Sequence, residues 1–292
     1  MSDFLLTCDR EDGLIRAAVW RDGKLCDLYF DKIEKPDLSG AILRARAVRV
    51  KSEGKAAWFD AGLEEKIYLE NIGALRAGDV RVLRVRATRG QGKASSGVLV
   101  DSFENEGGVG LIVPPPLPWQ RALEDLKEEK GVCRFAALED WQLGKKELAT
   151  QERIKIEALA KEAVHPDLSD LLEELSASRV FLSGGGEIVI EQTEALVAID
   201  VNAGEASNPT SVNLAAMHEV ARQIRLRNLG GIIVIDALKM KARADKFKLL
   251  ASFKRASAGD PAGVNVFGLT KLGLVELTRA RRGPSFIEIN EK

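Results

Sequence analysis

The alternation of apolar and polar positions divides the chain into parts with different periods. Residues 13 to 31, GLIRAAVWRDGKLCDLYFD, alternate in two short runs around Asp22-Gly23, a pair that tolerates the left-handed backbone of a two-residue hairpin turn. Two antiparallel strands are predicted there. From Leu38 to about Ser102, short alternating runs are separated by Gly54, Gly62, Gly73, Gly78 and Gly90, the spacing of a small all-β barrel. ENEGGVGLIVPPPLPW then sets a glycine-rich piece before Pro114, Pro115 and Pro116, whose nitrogens cannot donate hydrogen bonds, and predicts a linker or rigid loop. Charged, helix-forming sequence fills Trp119 to Ser176, interrupted near Gly131 and Pro166.

The pattern changes again in the last third. GEIVIEQTEALVAIDVN predicts two apolar strands with a turn at Gln192 to Glu194, and SVNLAAMHEVARQIRLRN predicts a helix whose apolar face is Leu214, Met217, Val220, Ala221 and Ile224. GGIIVID, entered through Gly230 and Gly231, reads as a fully buried strand. Strand, crossover helix and strand make a right-handed βαβ unit, so the two strands run parallel. Each ends on an acid, Asp200 and Asp236, and Asn202 follows two residues after the first. Neighbouring strands lie about 4.8 Å apart, so the acids can converge at the carboxyl edge, where open α/β sheets bind ligands.

Composition narrows the function classes. The 292 residues suffice for more than one domain, and 45% hydrophobic with 30% charged residues is ordinary for a globular protein. No apolar run approaches the roughly 20 residues of a membrane span, and MSDFLLTCDRED carries acids where a secretory signal needs basic residues; a cytoplasmic protein without membrane contact is expected. Three scattered cysteines, Cys8, Cys26 and Cys133, and two histidines, His165 and His218, support neither a disulfide framework nor a zinc site. The net charge of −1 leaves attraction to nucleic acid to local patches. ILRARAVRVKSEGK and VRVLRVRATRGQGK are such patches, concentrating Arg44, Arg46, Arg49, Lys51, Arg81, Arg84, Arg86, Arg89 and Lys93.

Two ionised carboxylates side by side repel unless a cation lies between or before them. Oxygen donors without sulfur or imidazole suit magnesium, with manganese as the alternative. For one such Asp, a helix cap or loop hydrogen bond is the simpler role; the pair with Asn202 favours the metal. RGQGKAS is not a phosphate-binding loop, because Ala87 stands at the first glycine position and Ala94 where Ser or Thr is required. Gly184 to Gly186 reads as a turn.

SGGGEIVIEQTEALVAIDVNAG, NLAAMHEVARQIRLRNLGGIIVIDALKM and GLTKLGLVELTRARR resemble, in order, the catalytic core of the ribonuclease E/G family, over about Arg179 to Arg282. AAWFDAGLEEKIYLENI and RGQGKAS resemble, more weakly, that family's RNA-binding OB barrel. The resemblance implies an α+β / α/β multidomain protein with an OB-type barrel inserted before a mixed α/β metal-binding catalytic domain. The divisions expected are 1–37, strands packing on the catalytic part; 38–105, the barrel; 106–176, a linker and helical region; and 177–292, the catalytic domain. It implies a bacterial, cytoplasmic, magnesium-dependent endoribonuclease cutting single-stranded RNA by phosphodiester hydrolysis, with Asp200 and Asp236 holding the ion and Asn202 supporting them. Trp58, Tyr68, Lys93, Lys271 and Arg279 are implied as RNA contacts, although Trp58 could equally fill the barrel interior.

Departures from the family pattern carry expectations of their own. Lys239 stands where a second acid usually follows, and Gly263 near a position often basic, so a non-cleaving RNA-binding relative is the alternative reading. The segment RRGPSFIEINEK is not followed by a cysteine-bearing zinc link, so a monomer or weak dimer without zinc is expected rather than a zinc-linked tetramer. Where longer members carry an Arg-Thr pair that senses the RNA 5′ end, this chain reads GVGLIVPPPLP, which implies indifference to that end unless Arg121 or Arg134 substitutes.

Overall fold

The computed structural model describes residues 3–51, 55–87, 95–104, 107–159, 165, 167–206 and 208–290. Its first three strands, β1 (Phe4–Glu11), β2 (Leu14–Arg21) and β3 (Lys24–Lys32), form an antiparallel meander. Both turns are Asp-Gly pairs with positive φ, 51° and 76° at Asp12-Gly13, 49° and 72° at Asp22-Gly23. That backbone twist matches the flanking strands. The second hairpin is the expected one, and the first adds a strand beyond it.

The chain then builds a separate barrel from β4 (Ile42–Val50), β5 (Ala56–Asp60), β6 (Ile67–Glu70), β7 (Val80–Ala87) and β8 (Ser95–Leu99). In the order β4-β5-β6-β8-β7 it closes by pairing β7 back to β4, with β6 and β8 parallel and the other pairs antiparallel. This is the connectivity of an OB fold. Its interior holds Leu43, Ala45, Ala57, Phe59, Ile67, Leu69, Leu83 and Val85. A sixth strand, β9 (Gly110–Val113), pairs with the start of β4, so GLIV is a strand of this sheet rather than a linker. Only the prolines connect onward. A Cβ on Gly40, whose φ is 90°, would come within 2.8 Å of the Pro116 ring, so the segments entering and leaving the barrel lie side by side.

The stretch read as helix-forming, Trp119 to Ser176, contains two strands. α1 (Pro118–Asp125), β10 (Gly131–Phe135), α2 (Leu138–Glu147) and β11 (Ile154–Ile156) return to the first sheet, where β10 and β11 add parallel to β1 in the order β11-β10-β1-β2-β3. The barrel is therefore an insertion within this sheet, between β3 and α1. Gly131, read as a helix interruption, opens β10 because the Phe4 ring fills the space a side chain would need; a Cβ at this position would lie 2.2 Å from that ring. The sheet is covered on both faces. Leu6, Cys8, Ala17 and Val19 meet Trp119, Leu123 and Phe135 on one side. Trp20, Leu28 and Phe30 meet α3 (Leu168–Ser176), Leu226 and α6 (Phe286–Asn290) on the other.

The second sheet comprises β12 (Arg179–Phe181), β13 (Glu187–Gln192), β14 (Val197–Asn202), β15 (Gly231–Asp236), β16 (Val264–Leu269) and β17 (Val275–Arg279), in the order β12-β13-β14-β15-β17-β16. α4 (Pro209–Leu226) crosses from β14 to the parallel β15, and α5 (Arg243–Ala256) lies against α4. Ile188, Ile190, Val197, Ile199, Val201, Ile233, Ile235, Val275 and Leu277 face these helices. The α4 face is built from Val212, Ala216, Met217, Val220, Ala221 and Ile224, and Leu214, expected there, is only half-buried. β15 is not buried on both sides as its unbroken apolar run suggested. Ile233 and Ile235 are buried, whereas Ile232 is 53% exposed, because no helix covers the opposite face of this sheet among the described residues.

Candidate nucleic-acid interface and acid site

β14 and β15 pair in parallel register with Asp200 directly opposite Asp236. Along β14 the burial alternates, Ile199 and Val201 inward, Asp200 outward and exposed, with Asn202 two residues on and therefore on the same face as Asp200. Asp236 is exposed at the end of β15, one residue beyond buried Ile235. The apolar runs stop at acids because these positions are where the strands leave the helix-covered core and meet the open face. Among the described residues, the Asp200, Asn202 and Asp236 side chains make no hydrogen bond or ion pair, so their oxygens are uncommitted. Glu187, opposite Asn202, is engaged by Arg179. No group of three or more His, Cys, Asp or Glu gathers tightly enough for a metal among the described residues. The donor set is two carboxylates and an amide.

The hairpin joining β16 to β17 lies at the same end of the sheet, since Ile235 pairs with Val275. It carries exposed Lys271 and an 88% exposed Leu272. Arg279, expected as an RNA contact, has a different role: its guanidinium is 3% exposed and binds Asp260 at 2.8 Å, Asn228 Oδ1 at 3.2 Å and the Leu229 carbonyl at 3.0 Å. The strand alternation that puts Leu277 in the core takes Arg279 with it.

On the barrel, Trp58 and Tyr68 pair across β5 and β6 with ring centroids 5.0 Å apart. Ala57 and Phe59 take the interior, so Trp58 faces outward and does not fill the barrel. Arg49 lies 5.1 Å and Lys51 5.5 Å from the Trp58 ring, and Lys51 donates to the Tyr68 hydroxyl at 3.2 Å. Aromatic faces beside cations form a platform on which a base can stack while its phosphate is neutralised. Lys93 lies outside the described residues. His218 shares a hydrogen bond with Ser252 at 3.2 Å, a structural role on the helix layer.

The model of the ribonuclease E/G family matches residues 135–282 of this chain, which contain Asp200, Asn202 and Asp236. The chain belongs to the ribonuclease E/G family. It is 38% identical over 200 residues to ribonuclease E of Synechocystis sp., an overlap of 66% of this chain and 27% of that protein. Ribonuclease G of Escherichia coli is 38% identical over 125 residues, covering 39% of this chain and 26% of that protein. The chloroplastic ribonuclease E/G-like protein of Arabidopsis thaliana is 42% identical over 128 residues, covering 41% and 13%. The chain thus spans about a quarter or less of the length of these family members.

Proposed function

We propose that the chain is an endoribonuclease that cleaves single-stranded RNA at the Asp200–Asp236 edge with the help of a divalent cation, magnesium above all. The observation that carries this reading is the paired register of two exposed, uncommitted carboxylates on adjacent strands of a ribonuclease-family sheet. These residues fit such an ion: two carboxylates and one amide supply hard oxygen donors, too few to displace all the waters magnesium prefers to keep. A magnesium ion bound there supplies neutralisation of phosphate charge and a water of lowered pKa. Asp200 and Asp236 hold it, Asn202 orients its shell, Lys271 meets a neighbouring phosphate, and Trp58 with Tyr68 stacks a base. The products expected are a 5′-phosphate and a 3′-hydroxyl.

A second reading, a relative that binds RNA without cutting it, draws on Lys239 and on the absence of a third carboxylate among the described residues. One assay separates them. Pure protein with a fluorescent single-stranded RNA should yield shorter products with magnesium and none with excess EDTA, while the RNA stays bound. Binding without products in magnesium or manganese favours the second reading.

Cleavage is also expected to ignore the RNA 5′ end. The residues that precede the prolines form β9, and the two alternative cations are engaged, Arg121 with Asp31 and the Phe30 carbonyl, Arg134 with Glu157. The kcat/KM values for one oligonucleotide bearing a monophosphate, a triphosphate or a hydroxyl should agree closely. A tenfold preference for the monophosphate, about 1.4 kcal/mol, would reveal a sensor elsewhere in the chain.

A further inference from the structure

Three residues after Asp236 begins KMKARADKFK, positions 239–248, in a chain whose net charge is only −1. Lys239, Lys241, Arg243, Lys246 and Lys248 are all exposed. None of the five makes an ion pair or side-chain hydrogen bond among the described residues. Elsewhere, Arg10, Arg16, Arg21, Arg121, Arg134, Arg179, Arg225, Arg279 and Arg282 each have a carboxylate partner. The segment's single acid, Asp245, is turned toward Thr210 on α4, whose hydroxyl lies 3.4 Å from it. Amid these cations Phe247 is 76% exposed. The helical period explains this orientation. Leu249 and Phe253 anchor α5 in the core, so Arg243, Phe247 and Lys254, at spacings of four and seven, come out on the opposite face.

We propose that residues 239–248 form a phosphate track for the RNA strand passing the acid edge, with Phe247 as a base-stacking platform. This rests on the functional reading above and extends it to a surface on α5. Free cations in sequence match a polyanion, and each phosphate contact releases counterions. An aromatic face between them suits an unpaired base and tolerates any sequence. One phenylalanine on an otherwise small and charged outward face offers little area for a lipid bilayer, so the partner is a single strand rather than a membrane.

The test is equilibrium binding of a fluorescein-labelled 15-mer RNA in EDTA, where no cleavage occurs, across a series of KCl concentrations. The triple variant Arg243→Gln, Lys246→Gln, Lys248→Gln should lower the slope of log affinity against log salt by about 2, at roughly 0.7 per phosphate on a single strand. Phe247→Ala should weaken binding about tenfold with the slope unchanged. Circular dichroism and thermal melting of both variants should match the parent, because the altered side chains are solvent-exposed. Unaltered affinity and slope in both variants overturn the track even if the protein cleaves RNA. A lowered slope supports it even if the protein proves not to cleave. Loss of binding to phosphatidylglycerol vesicles with RNA binding intact would assign the patch to a membrane and overturn the proposal.

Discussion

Arg279 and Arg227 are both buried beside the second sheet, yet their substitution should affect stability differently. Arg279 is paired with Asp260, itself 2% exposed, so Arg279→Met leaves a carboxylate buried and uncompensated. A loss of about 3–5 kcal/mol is expected. Arg227 is fully buried, bonds only Gln223 through Nε at 2.7 Å, and has no partner for either terminal nitrogen among the described residues; burial pushes its pKa down to about 10. Arg227→Met exchanges an incompletely satisfied charge for an apolar chain of similar length and should be neutral or stabilising. Urea unfolding of both variants checks the contrast, and equal losses would contradict it. Asp31 adds a pH dependence. Burial pushes its carboxyl up to about 6, against the opposing influence of Arg121 and the Asp37 amide. The folded state keeps this proton where the unfolded chain has lost it, so its contribution favours folding most below about pH 4 and is lost as pH rises through about 6. Asp31→Asn should therefore flatten the decline in melting temperature between those values relative to the parent, and an unchanged profile would show that Asp31 ionises freely. At this scale Asp200 and Asp236 were legible because an apolar run that stops at an acid needs only the strand to be recognised. Arg279 was not, since its burial depends on Asp260, which a reading of charges alone cannot pair with it.

Among the elements, α4 is the one that brings the two acid-bearing strands into parallel register, and its start is specified locally. Asn208 accepts from the Thr210 and Ser211 amides at 3.1 and 3.3 Å, with Pro209 following at the first helical position. Asn208→Ala should cost about 1 kcal/mol, whereas Asn208→Asp should preserve the cap. Chemical unfolding distinguishes the two, and equal costs would mean that the cap is not what the asparagine provides. The βαβ unit and the Asp22-Gly23 turn are legible for similar reasons, because a long periodic segment and an Asp-Gly pair carry their signal in adjacent residues; the Asp12-Gly13 turn, built on the same pair, was not read. β10 and β11 were missed because five and three residues are too few to establish a period amid charged neighbours. Their strand form comes from pairing with β1, a tertiary interaction. β15 was overestimated as buried because an unbroken run of isoleucine and valine reads the same whether one face or both are covered.

For the molecule as a whole, the acid edge belongs to one unit and the Trp58–Tyr68 platform to another, an OB barrel inserted into the first sheet. The first sheet and the second are fastened by Arg225 to Asp27 and by Arg282 to Asp125, which also receives the Tyr29 hydroxyl at 2.7 Å. Barrel and second sheet were each legible from their own patterns, but the placing of the barrel within the first sheet was not, because it is defined by Phe4 pairing with Gly131 across the whole barrel sequence. On the proposed reading, binding and chemistry lie on separate units, so the two functions can be separated by mutation. The most direct measurement is single-turnover cleavage of a labelled single-stranded RNA by Asp200→Asn and Asp236→Asn across a magnesium titration, alongside RNA affinity in EDTA. Neutralising either carboxylate removes a hard ligand without touching the barrel, so cleavage should fall to background at low magnesium, with affinity nearly that of the parent. Parent-like cleavage rates and magnesium dependence in both variants would contradict the assignment of Asp200 and Asp236 as the acids at which the strand is cut.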